Sequence, residues 1–416
     1  MFENSLTITY SKNASEVVKE LSNKLYVETE IGNIKIEPIN VAVVENNVAL
    51  SKWDYISKIA KDKEKISEID ETIIKNKEFL NISNENLKIY DNMNSISATM
   101  LENYFKCPFY MFLFNVLKIK PRLDNDILSF DIGNVLHEIM FKYYKNKKQV
   151  GDIYDFCKSE VFAFVDKDDR LKLNLNSPIL INLIDEALRV IHGLNYMDEN
   201  STFVPLKFEH EFKGEKALKL DNIDIIGKID RVDASGDMLR VVDYKSGKVD
   251  ANLKELYYGN KLQLFLYSLA IEKEMKKKVV GGFYLPLHNK YSREVENNYS
   301  LNGYFVNEDF VIRALDKNVQ ASERSDIVDM RLTKDFKARS MPTDNEMENL
   351  KNYSKRVSEN AVEEIKSGFI KPSPLDYSKA CDYCPYSQTC LKTCKSLSSR
   401  KSGAVKFSSF KEVDNA

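Results

Sequence analysis

Apolar positions along the chain change period several times, and each change marks a predicted element. Near the start SLTITY alternates and predicts a strand, and from Ala14 to Leu25 the residues Val17, Val18, Leu21 and Leu25 recur at helical spacing. VAVVENNVAL predicts another strand and turn. Residues 1–95 are therefore expected to form a small α/β accessory region, ending in a charged, Asn-rich linker. At Ser97 the pattern becomes dense and aromatic: ISATMLENYFKCPFYMFLFNVLKI predicts a helix with Ser97 or Thr99 as its N-cap, interrupted at Cys107-Pro108 because proline ends or restarts helices. After an Asp-rich loop, FDIGNVLHEIMFKYY carries an apolar stripe of Ile132, Leu136, Ile139, Met140 and Tyr143 with His137 beside it. Helices are expected within 151–200, most clearly from Ile179 to Tyr196, and a strand over 205–213. Further on, Lys261–Glu274 predicts a helix, Val279–Leu287 and Tyr299–Val306 strands, and Asn345–Ser367 a long amphipathic helix. The Ser/Lys-rich residues 396–416 are expected to be a flexible tail.

Between those elements lies the stretch Asp224 to Lys245, two apolar runs joined by a Ser-Gly-Asp turn. Ile226, Ile229 and Val232 are expected to mark one buried layer of the first strand, which puts Asp230 close to the core, where an unpaired carboxylate is costly. In the second, Leu239, Val241 and Asp243 share a face by period two, and Lys245 points the same way.

Composition narrows the function classes. The chain has 416 residues, 30% of them charged, and a net charge of −2, so nucleic-acid binding would need a local basic groove rather than a polycationic surface. No apolar run approaches the length of a membrane span and the polar start does not resemble a signal peptide, which predicts a soluble, cytoplasmic protein with no membrane partner. No GxxxxGK[ST] occurs, so ATP hydrolysis through a P-loop is not expected.

Two carboxylates on neighbouring strands, with a lysine two residues after the second, suit a divalent cation that takes hard oxygen ligands, Mg²⁺ or Mn²⁺. Asp230 and Asp243 would hold it, and the Tyr244 carbonyl would offer a further oxygen. Such a cation lowers the pKa of water and neutralises charge developing at a phosphorus, while Lys245 would orient or deprotonate the nucleophile. A bare D-x-K is also common on solvated hairpins. The ordered set GKIDRVD, VVDYKSGK and KLQLFLYSL is more specific, and here the chain resembles the PD-(D/E)XK nuclease superfamily, within it the RecB type, and most closely the AddB-like nuclease domain. The resemblance implies an α/β fold of restriction-endonuclease-like design, a mixed central sheet flanked by helices, over 96–395. It implies metal ligation by Asp230 and Asp243, a catalytic Lys245, and Gln263 and Tyr267 facing the site from the following helix. RecB-type members also carry G-x-x-x-H on an upstream helix, so Gly133 and His137 make His137 a metal ligand by the same implication. His192, His210 and His288 are expected to be structural, and Glu209 and Glu211 to pair with basic residues near the site.

Six cysteines do not make a disulfide framework in a chain of this length. Cys381, Cys384 and Cys390 form C-x2-C-x5-C, whose fourth ligand is either Cys394, which suits zinc, or the distant Cys107. The AddB-like family places one cysteine in Y-x-x-C-P-[FY] before the nuclease core and C-x2-C-x5-C after it. Tyr104, Cys107, Pro108 and Phe109 match the first. The resemblance thus implies a [4Fe–4S] cluster on Cys107, Cys381, Cys384 and Cys390, stapling the flanks of the domain. Cys157 is expected to be a buried apolar residue. Residues 5–60 resemble the helicase-like segment that precedes this domain in AddB proteins. The function expected is a Mg²⁺-dependent DNA exonuclease acting on single strands or duplex ends in recombinational double-strand break repair, with a helicase partner. The alternative is a non-catalytic DNA-end-binding module held by its metal cluster.

Overall fold

The computed structural model describes residues 26–29, 32–35, 93–119, 129–167, 178–220, 223–247, 251–287, 299–376, 380–382, 384–387, 390 and 405–410. The chain divides into two compact units, Met1–Phe79 and Leu80–Ala416. In the first, strands β1 (Tyr26–Thr29) and β2 (Gly32–Lys35) pair antiparallel. The strands expected at SLTITY and VAVVENNVAL, the helix from Ala14, the Asp-rich loop at 123–126, His288 and Cys394 lie outside the described residues.

The second unit is built on a seven-stranded mixed sheet. Its long member is β6 (Ile223–Ser235). The first residues of β6 are flanked by β3 (Ser95–Ser97, parallel) and β5 (Leu218–Leu220, antiparallel), and its last by β4 (Val204–Phe212) and β7 (Met238–Lys245), both antiparallel. β6 and β7 meet in a two-residue turn between Ser235 and Met238, and Gly236 takes φ +60° there, as such hairpins require. β8 (Lys278–Pro286) lies parallel to β7, and β9 (Asn302–Phe305) closes the sheet antiparallel to β8.

Helices cover both faces, which the burial of the strands records. From Leu239 to Tyr244 every residue of β7 is buried, and so is every residue of β8 after Lys278. One group comprises α3 (Ser129–Asn146), α4 (Ile153–Val165) and α5 (Pro178–Asn200), packed on one another and, through α3, on β4. The other comprises α1 (Ala98–Lys106), α7 (Gln263–Met275) and α9 (Asp344–Lys366), with α7 against β7 and β8. Ser97 caps α1 by accepting the Met100 amide, and Thr343 and Glu346 form a capping box on α9. Cys107 ends α1, and Pro108 opens α2 (Pro108–Met111), the break expected from the proline. The short α6 (Leu253–Tyr257) precedes α7, and α8 (Asp309–Leu315) follows β9.

Two expectations need correction. In the first part of β6 Ile223 and Ile225 are buried and Ile226 is not, and from Ile229 to Asp233 all side chains are buried, because helices cover both faces there. A flexible tail is expected from the C-terminal composition, yet Phe407–Phe410 forms a helical turn. Phe410 is buried there with its ring edge-on to Tyr257 and Tyr353, which supplies the apolar contact a Ser/Lys-rich composition conceals.

Candidate metal site

The hairpin ladder between β6 and β7 stops at Arg231 and Val242. Beyond it the Asp230 side chain takes over: its Oδ2 accepts the Tyr244 amide at 2.6 Å, a charge-assisted bond that fixes one oxygen and leaves Oδ1 to face His137. His137 arrives from α3, with Nδ1 3.5 Å from Asp230 Oδ1 and its ring edge-on to Tyr244. Gly133, one helical turn earlier, is needed because a Cβ there would come within 2.9 Å of Ser246 Cβ, just after Lys245. Gly227 is needed on β6 for the same reason, against Phe212 and Tyr267. The two motif glycines are thus close-approach positions that let α3, β6 and α7 converge.

β4 contributes a residue that sequence reasoning assigned only to ion pairing. Glu209 does pair with Lys228, but its carboxylate also groups with His137 and Asp230, one ligand atom of each within 4.8 Å of the others. It falls opposite Asp230 in register and has φ +47°, a left-handed conformation inside a strand. A non-glycine residue held there stores of order 1–3 kcal/mol of strain, and such residues cluster at functional sites. That conformation was not legible in the sequence.

Asp243 is buried on β7 with the Lys245 ammonium against it. That ammonium pairs with Asp243 Oδ2. Burial, against the pull of Lys245 and with the added repulsion of Asp230, pushes its pKa up to about 7. Burial also disfavours the charged forms of His137 and Lys245, but the surrounding acids outweigh it and raise both. Lys245 is therefore held as an ammonium. It donates to Gln263 Oε1 at 2.8 Å, and Gln263 Nε2 donates to the Tyr267 hydroxyl at 2.8 Å. The expected line from β7 to α7 is present, with the amide oriented by a lysine that can only donate.

Arg231 and Asp233, on the same strand as Asp230, belong to a different network. The Arg231 Nε donates to Asp233 Oδ1 at 2.6 Å and its Nη1 to the Tyr144 hydroxyl at 2.7 Å, while Arg240 Nε donates to Asp233 Oδ2 at 2.7 Å. His210 is structural, as expected, bonded to Glu274 at 2.7 Å. His192 is exposed.

Scanned against family models, the chain matches the PD-(D/E)XK nuclease superfamily over residues 95–391. The chain belongs to this superfamily. Among curated relatives, a subunit of the ATP-dependent helicase/deoxyribonuclease of Clostridioides difficile is 25% identical over 382 residues, covering 78% of this chain and 33% of that protein. The subunit of the same name from Bacillus subtilis is 28% identical over 342 residues, with 71% and 29% covered. The chain thus spans about a third of the length of these relatives. No helix among the described residues is long and apolar enough to cross a membrane.

The donors at the β6–β7 site fit a divalent cation: carboxylate oxygens from Asp230 and Glu209 and one imidazole nitrogen from His137, with the buried Asp243 carboxyl close enough to Asp230 to be repelled by it. At the other corner, Cys107, Cys384 and Cys390 pack against one small apolar cluster of Phe109, Leu113 and Tyr386. The Cys384 amide donates to the Cys381 carbonyl at 3.1 Å, and the Leu375 amide to the Lys106 carbonyl at 2.9 Å, tying the C-terminal segment to the end of α1. The four expected cysteines come from these two tied segments. Cys157 is fully buried on α4, and burial pushes its thiol up to about 12, so it stays a protonated packing residue.

Proposed function

We propose that this chain is a metal-dependent deoxyribonuclease that hydrolyses phosphodiester bonds of single-stranded DNA or DNA ends, working in the cytoplasm with a helicase partner in recombinational double-strand break repair. The observation that carries the reading is the convergence of His137, Asp230 and Glu209 beside a buried Asp243 paired with Lys245, which is in turn tied to Gln263. The names of the relatives, which join helicase and deoxyribonuclease, support the partner and the substrate.

His137, Asp230, Asp243 and the Tyr244 carbonyl, with Glu209, would hold Mg²⁺ or Mn²⁺. The bound ion would supply charge neutralisation at the phosphate and acidify water. The protein's own groups do the rest. Tyr244 fixes one oxygen of Asp230 through its amide. Lys245 keeps its proton and presents it toward an anionic phosphate oxygen or the attacking water, and the Gln263–Tyr267 pair limits where its ammonium can stand. Cys107, Cys381, Cys384 and Cys390 would hold a [4Fe–4S] cluster with a structural role. Closing so long a loop costs several kcal/mol of chain entropy that metal–sulfur bonds must exceed.

The test is Mg²⁺-dependent release of nucleotides from end-labelled single-stranded DNA by the full chain. Wild type should cleave, and Asp243→Asn should lose about 10³-fold, equivalent to roughly 4 kcal/mol at the transition state. Equal, background-level release by both proteins with Mg²⁺ and with Mn²⁺ would leave the non-catalytic DNA-end-binding module as the reading.

A further inference from the structure

Helix α7 starts without a cap of its own. Leu262 precedes it in helical conformation and offers no side-chain acceptor, although the first amides of a helix need one. The acceptor comes from 160 residues upstream. Glu102 Oε1, in the middle of α1, accepts the Leu262 amide at 2.9 Å and the Gln263 amide at 3.0 Å. Gln263 is the first residue of α7, so the point where the helix begins sets where its side chain stands. That side chain is the acceptor for Lys245.

The helix that carries Glu102 is itself anchored. The Tyr104 hydroxyl donates to Glu364 on α9 at 2.5 Å, and the Lys106 carbonyl accepts the Leu375 amide at 2.9 Å. The next residue is Cys107. One helix therefore joins the cysteine corner to the start of α7.

We propose that Glu102 is a positioning residue: by capping the amides of Leu262 and Gln263 it fixes the start of α7, and thereby the Gln263 oxygen that orients Lys245. The proposal rests on the nuclease reading above for its kinetic arm only. Glu102 touches neither DNA nor cation in this role. It needs one acceptor oxygen, so glutamine in its place can still cap while alanine cannot.

The experiment compares Glu102→Ala, Glu102→Gln, Gln263→Ala and the Glu102→Ala/Gln263→Ala double variant in the full chain. It measures Mg²⁺-dependent cleavage of labelled single-stranded DNA and hydrogen exchange over residues 258–268. Glu102→Ala should lower kcat by about 10- to 100-fold, the scale of a small misplacement in an active site, with KM for DNA within about twofold. Glu102→Gln should recover kcat to within about threefold, and the double variant should lose no more than Gln263→Ala alone. Exchange at the start of α7 should accelerate in Glu102→Ala and return to the wild-type rate in Glu102→Gln. Wild-type kcat in Glu102→Ala overturns the proposal, as does additivity in the double variant or unchanged exchange. If wild type releases no nucleotides, the nuclease reading fails, and the exchange of Glu102→Ala against Glu102→Gln decides the capping role by itself.

Discussion

Two clusters of charge sit side by side on the β6–β7 hairpin, and they are built on opposite principles. In the first, Asp233 is completely buried between Arg231 and Arg240, each donating to a different carboxylate oxygen. Burial raises its pKa, but the two guanidinium groups outweigh it and the net shift is downward. Arg231 also reaches Tyr144, whose ring it overlies, and Asp198 on α5. In the second, Asp230 and Glu209 gather with His137, Lys228 pairs with Glu209, and Asp243 has one lysine where Asp233 has two guanidinium groups: burial pushes the Asp243 carboxyl up against the pull of Lys245. Asp233 and Asp243 are both buried and differ in neutralisation. The first network fastens α5 to the sheet, and the second, where a buried carboxyl facing one lysine lies beside the His137–Glu209–Asp230 group, suits a ligand that brings positive charge.

The difference predicts opposite responses to removing one carboxylate. Asp233→Ala leaves the buried Arg240 without its carboxylate partner and Arg231 with Asp198 alone, and should cost about 3–5 kcal/mol in urea unfolding, with the loss of cleavage following the loss of fold. Asp243→Asn should do the reverse. A carboxyl whose folded pKa lies above its unfolded value opposes folding wherever it is ionised. That cost is fully present above about pH 7 and gone below the ordinary aspartate value of 3.8. Without divalent cations, Asp243→Asn should therefore melt a few degrees above wild type at pH 8 and together with it near pH 4, while cleavage is lost. A drop in melting temperature for Asp243→Asn at pH 8 would erase the distinction between the two clusters.

The sequence already displayed most of the second cluster and little of the first. Period two predicts a shared face for Asp243 and Lys245, the resemblance to the nuclease superfamily implied Gln263 and Tyr267 facing the site, and the hydrogen bonds from Lys245 to Gln263 and from Gln263 to Tyr267 join the hairpin to that helix. Glu209 and Glu102 escaped because their roles come from long-range register and packing. Glu209 meets Asp230 only when β4 pairs with β6, and Glu102 meets α7 only when α1 folds across it. Arg231 and Asp233 are visible as motif letters, but their partners Tyr144, Asp198 and Arg240 come from three other elements. On β6 the expected layer of Ile226, Ile229 and Val232 holds at the last two and fails at Ile226, because the strand alternates with Ile223 and Ile225 buried before it loses its wet face at Ile229.

The central claim is that the donor group around Asp230 is a cation site, and Mn²⁺ titration followed by electron paramagnetic resonance tests it most directly. Wild type should bind Mn²⁺ at pH 8 and progressively less as pH falls through about 7, because a proton on Asp243 competes with the ion. Asp230→Asn, which keeps its shape but not its charge, should lose binding at every pH. Failure of wild type to take up Mn²⁺, or equal uptake by Asp230→Asn, would contradict the account.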